Sequence, residues 1–138
     1  MLKCMRTLQI DSEIPKKKKT GSADYDFTGK AAKIPAYGVA AITLIVRVAI
    51  LATYFLLQLS RCGLAKKGVT TLAGVVDSKY RGPVIALLAN STDKDFIIEE
   101  GQRVCQGMFV RKYEAQFNKQ HELTHTDRGD DGFGSSGL

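Results

Sequence analysis

Cysteine is scarce in this chain: its three occurrences, Cys4, Cys62 and Cys105, include no CxxC pair. An odd number at that spacing excludes a disulfide framework and a four-cysteine zinc site, and it fits a reducing compartment. The N-terminal stretch lacks an apolar run long enough for a secretory h-region, which points to an intracellular protein of the cytoplasm or nucleus. Internal repeats are absent, and the one low-complexity tract is Lys16 to Lys19. Behind Pro15, that tract reads as a solvated lysine loop, with a nuclear-import signal as the alternative. Acidic residues are in deficit: 14 Asp plus Glu against 20 Lys plus Arg leave a formal charge of +6. Such a surplus attracts triphosphates, nucleic acid or anionic lipid without choosing among them.

What is present suits one folded domain. The 138 residues are 44% hydrophobic and 25% charged, enough for a core and too apolar for wholesale disorder. Glycine and proline punctuate the chain at short intervals, and between them lie strand-length β-branched or apolar runs: Val69 to Leu72, Val84 to Leu88 and Phe96 to Ile98. This pattern predicts an all-β sandwich or jelly roll over residues 1–125. Residues 126–138, rich in Gly, Asp and Ser, cannot bury a core and read as a mobile tail of the same domain. Val39 to Leu59 is long enough to span a bilayer, but Arg47 sits near its middle among β-branched residues. Core strands are therefore preferred to a single-pass membrane segment. Asn90-Ser91-Thr92 matches a glycosylation acceptor and reads as a loop.

Three constellations could carry chemistry. His121-Glu122-Leu123-Thr124-His125 has the HExxH spacing of zinc proteases, yet the 13 residues after it contain no His, Cys or Glu to complete the ligand set. It reads as a polar connection. Gly74 to Gly82 describes a hairpin whose Asp77 and Tyr80 both reach its mouth, where a carboxylate can serve as general base toward water. The tail joins Arg128, which can fork onto a phosphate, to Phe133 and to the glycines and hydroxyls of Gly134, Ser135 and Ser136. That combination reads as a lid closing over a nucleotide.

Taken together, these residues resemble the trimeric dUTPase family, whose five motifs occur here in order. Gly21 to Phe27 is similar to the first, Ser60 to Ala65 to the second, Gly74 to Gly82 to the third, Gly101 to Gln106 to the fourth, and the tail to the fifth. The resemblance implies a β jelly roll and a homotrimer with sites at its interfaces, each tail crossing to a neighbour. It also implies magnesium-assisted hydrolysis of dUTP to dUMP and pyrophosphate, which keeps uracil out of DNA and supplies dUMP for thymidylate synthesis. Asp77 would deprotonate the water that attacks the α-phosphorus, and Asp26 would order the waters around Mg2+. Gln106 would position phosphate and water, with Arg61, Cys62, Gly63 and Arg128 holding phosphates. Backbone groups near Gly74 and Val76 would read uracil, Tyr80 would lie under the deoxyribose, and Phe133 would stack on the base. Neither direct nucleic-acid binding nor membrane association is implied.

The chain departs from the family pattern at several places. Cys62 replaces a serine, Asp24 a glycine, Ser60 a proline and Gly107 an apolar strand residue, while Leu56, Leu57 and Leu59 make one strand unusually apolar. A thiol is a weaker donor to phosphate than a hydroxyl, which predicts slow catalysis. The departures also support a second expectation, a dUTPase-like nucleotide-binding or regulatory protein with weak activity.

Overall fold

The computed structural model describes Pro15, Lys17 and residues 19–132. Cys4, Lys16, Lys18 and the tail residues Phe133, Gly134, Ser135 and Ser136 lie outside the described residues. Among the described residues nine strands follow in order: β1 (Tyr25–Thr28), β2 (Ala32–Ile34), β3 (Val39–Thr43), β4 (Tyr54–Ser60), β5 (Val69–Ala73), β6 (Val75–Val76), β7 (Ile85–Asn90), β8 (Phe96–Ile98) and β9 (Arg103–Arg111), with one short helix, α1 (Cys62–Ala65), after β4. They form three antiparallel sheets, ordered β1-β9-β4-β6, β3-β7-β5 and β2-β8. This is the all-β, jelly-roll type of architecture that the punctuation predicts.

The apolar run resolves into two strands and an extended link. Leu44, Val46, Val48 and Ile50 are buried, whereas Arg47 between them is exposed. Burial at every second residue is strand-like and cannot come from a helix. Among the described residues no helix is long and apolar enough to cross a membrane. Phe27, Ile34, Ile42, Leu44, Leu56, Val69, Val84, Leu88, Ile98 and Val104 converge with these side chains in one core.

Two departures from the family pattern meet inside that core. A Cβ added to Gly107 would lie 2.7 Å from Leu56 Cδ1 and 2.8 Å from Phe27 Cε2. Leu56 is fully buried, so the large residue on β4 fills the space that the small residue on β9 leaves. Gly107→Val is expected to overpack this site and cost about 1–3 kcal/mol. Thermal melts of both proteins check it, and Leu56→Ala added to Gly107→Val should recover part of the loss because the two sites share one space. Ser60 also has a use. Its Oγ accepts the Thr71 N–H at 2.8 Å, beside the register shift between Thr71 and Ala73 on β5.

Asn90 is the last residue of β7 and is 2% exposed. Its Nδ2 donates to the carbonyls of Ile34, Pro35 and Lys94, and its Oδ1 accepts from the backbone and hydroxyl of Thr92. The glycosylation-like triplet is therefore only partly a loop: its asparagine is a buried cross-link between segments far apart in the chain.

Candidate active site

The third-motif region is more than a plain hairpin. β5 pairs with β7, but β6 between them pairs with β4 in the other sheet. The chain crosses at Gly74, whose carbonyl accepts the Gln58 backbone N–H at 2.6 Å. A Cβ there would lie 2.6 Å from the Gln58 carbonyl oxygen, so only glycine allows the crossing. Asp77 then starts a turn in which its carbonyl accepts the Tyr80 N–H at 3.1 Å. The Tyr80 hydroxyl donates to the Pro83 carbonyl at 3.0 Å, and its ring folds over Gly82, where any side chain would collide with it. Arg81 closes the turn by donating to the carbonyls of Ser78 and Tyr80.

This turn borders a cleft of about 230 Å³ lined by Gln58, Ala73, Gly74, Val75, Val76, Asp77, Tyr80 and Ile85. Pockets for drug-sized ligands measure about 300–1,000 Å³, so the cleft suits part of a nucleotide. Its walls are mostly apolar, and both residues of β6 contribute to them. Asp77 and Tyr80 stand exposed at its lip.

A second group lies elsewhere. Asp26 on β1 accepts Arg61 Nε at 2.9 Å on Oδ1 and an Arg103 guanidinium N–H at 3.2 Å on Oδ2. Arg61 also donates to the Arg103 carbonyl at 3.2 Å. Gln106 on β9 faces both Asp26 on β1 and Leu59 on β4 in register. Two guanidiniums around one carboxylate leave a net positive charge, the right sign for a phosphate. Cys62 and Gly63 follow Arg61 at the start of α1, both exposed.

Arg103 is the member that sequence reasoning missed. The pairing of β1 with β9 slips between Phe27 and Thr28, so Thr28 opposes Arg103 rather than Val104. The bulge turns Arg103 to the Asp26 side of the sheet while Val104 and Cys105 both stay buried. No pattern in the sequence announces such an extra residue. Cys105 is also removed from chemistry: burial, foremost, and the nearby Asp26 carboxylate push its thiol up to about 12.

The two groups do not meet within one chain. Strand alternation puts Gln58, which lines the cleft, on one face of β4, and Leu59, level with Gln106 and Asp26, on the other. Among the described residues no hydrogen bond or ion pair links Asp77 to Asp26, Arg61 or Gln106. Arg128 is separate again, its Nε donating to the Asp131 carbonyl at 3.0 Å on an exposed turn. The HExxH segment is not helical and both of its histidines are exposed. Among the described residues there is no cluster of three His, Cys, Asp or Glu placed to hold a metal.

A profile of the dUTPase family matches residues 11–137. The chain belongs to the dUTPase family. A Candida albicans protein named deoxyuridine 5'-triphosphate nucleotidohydrolase is 38% identical over 130 residues, covering 91% of this chain and 81% of that protein. The fold is similar to that of the dUTPase of Staphylococcus bacteriophage 80alpha, solved with dUPNHPP, at TM-score 0.89, 21% identity and 99% coverage of both chains. It is also similar to the dUTPase of phage phi11 of S. aureus, solved with a structural Mg(II) ion, at TM-score 0.74, 19% identity, and 88% and 98% coverage. Cys62, in the segment that resembles the family's second motif, has its thiol exposed. Cys62→Ser is expected to raise the turnover number roughly tenfold, the effect of one charge-assisted hydrogen bond in the transition state. Steady-state kinetics of both proteins check it.

Proposed function

We propose that this chain hydrolyses dUTP to dUMP and pyrophosphate, with each site assembled from neighbouring subunits of a homotrimer. The observation that carries the reading is Asp77 and Tyr80 at the lip of a cleft of ring size, in a chain of the dUTPase family. Uracil enters the cleft against the backbone of Gly74 and Val76, and Tyr80 packs beneath the deoxyribose. Asp77 takes a proton from the water whose oxygen bonds to the α-phosphorus; the bond to the β-phosphate oxygen breaks and pyrophosphate leaves. Arg61, Cys62, Gly63, Gln106 and Arg128 hold the phosphoryl oxygens. Residues 126–138 close over them as a lid, with Phe133 on the base and Gly134, Ser135 and Ser136 at the phosphates.

Separation of the two groups supports the trimer, since Asp77 of one subunit needs the Asp26 group of another. Leu72, Val75, Tyr80 and Ile85 are exposed around the cleft, an apolar rim that a neighbouring subunit can cover. Magnesium fits the donor set only through water. Two of the roughly four lone-pair positions on the Asp26 carboxylate face guanidiniums, so the remaining acceptors would hold the water shell of a magnesium ion arriving with the triphosphate. When bound, the ion neutralises the triphosphate charge.

The weak, nucleotide-binding alternative draws on Cys62, Asp24, Leu57 and Leu59, because Leu56, Gly107 and Ser60 have working roles in the fold. The test is pyrophosphate release from dUTP, dTTP, dCTP and UTP with magnesium. Release from dUTP alone supports the enzyme; none from a folded trimer that binds dUMP supports the alternative.

A further inference from the structure

We infer that Gln58 is a specificity-determining residue, fixing the width of the base cleft and so its rejection of a 5-methyl group. The inference rests on the reading of that cleft as the uracil site. Gln58 is a buried polar residue, 6% exposed, on a strand whose neighbours Leu57 and Leu59 are apolar. Three bonds explain its place. Its backbone N–H donates to the Gly74 carbonyl at 2.6 Å, holding one rim. Its Nε2 donates to the Ile85 carbonyl at 3.1 Å, holding a second part of the lining, contributed by β7. Its Oε1 accepts the Cys105 thiol at 3.7 Å, which orients the amide from behind. Gly74, Ile85 and Gln58 itself all line the cleft.

One residue therefore ties both walls to β4, and the wall at Ile85 is held through a side chain. That matters for a thymine ring, which differs from uracil by one methyl. A pocket that yields discriminates a single carbon by only about 10- to 200-fold, whereas a pinned wall converts the extra carbon into overlap. The Ile85 side chain is itself 45% exposed, and its backbone pairs with Thr43 of β3 within its own sheet. The amide of Gln58 is the bond that joins this wall across to β4.

The test is Gln58→Met, similar in size and reach but without the amide, compared with wild type by kcat/KM for dUTP, dTTP and dCTP. The expected result is a dUTP-over-dTTP preference reduced about tenfold, with the dUTP-over-dCTP preference, set by backbone polar groups, unchanged. A ratio of rates cancels any loss of folded protein. An unchanged dTTP ratio, or an equal loss on all three nucleotides, overturns the inference. If Gln58→Met does not fold, Gln58→Asn, too short to reach Ile85, takes its place in the same comparison. If wild type hydrolyses none of the three, the proposed activity fails separately, and dUMP and dTMP binding decides: a wild-type preference for dUMP that Gln58→Met loses supports the cleft-width role, and no preference overturns it.

Discussion

Asp77→Asn is expected to lower pyrophosphate release from dUTP by about 10²- to 10⁴-fold, the contribution of a positioned general base. Asparagine keeps the size and the turn, whose hydrogen bond to Tyr80 N–H uses the Asp77 backbone carbonyl rather than its side chain. The Asp77 side chain is exposed, so neither the melting temperature nor dUMP affinity should move much. A stopped assay alongside dUMP titration separates the cases. Lost turnover with retained binding assigns Asp77 to water activation; retained turnover removes it from the chemistry and leaves the lip carboxylate as a turn residue.

Two inactive variants mixed together are expected to regain activity. Asp77→Asn and Arg61→Ala each disable a different group, and those groups do not meet within one chain. If the two variants are unfolded together and refolded at equal ratio, subunits assort at random. About a quarter of interface sites then draw an intact Asp77 from one chain and an intact Arg61 from another. Activity should rise from near zero to about that fraction of wild type. Recovery cannot come from a site built inside one subunit, so continued silence of a correctly assembled mixture would place both groups in a single chain. Arg61→Ala also frees one oxygen of Asp26 from its partly buried partner, and its melting temperature serves as the folding control.

Much of the fold was legible because it rests on local pattern. The runs at Val69, Val84 and Phe96 became β5, β7 and β8, and the long apolar stretch resolved into strands as Arg47 required. Pairing was not legible. That β6 would leave its hairpin for β4 depends on the approach of Gly74 to Gln58, a contact between residues 16 positions apart. The first-motif bulge that turns Arg103 toward Asp26 is likewise a property of two paired strands. The same limit applies to Leu56 and Gly107, which look like independent losses in a linear reading and are complementary in space. Asp77, Tyr80, Asp26, Arg61 and Gln106 were visible from their motifs, but not that they form two groups on separate parts of the surface. Phe133 to Ser136 keep only their sequence argument.

Asn90 has a practical consequence for producing this protein. Oligosaccharide transfer acts on extended acceptor segments, and a sugar attached there would occupy the amide nitrogen that Ile34, Pro35 and Lys94 share. The modified chain could not close the end of β7 against the start of the 35–38 loop. Expression through a secretory host would thus divide the product into foldable and unfoldable molecules at one residue, and a non-glycosylating host gives the uniform sample that the kinetic comparisons need.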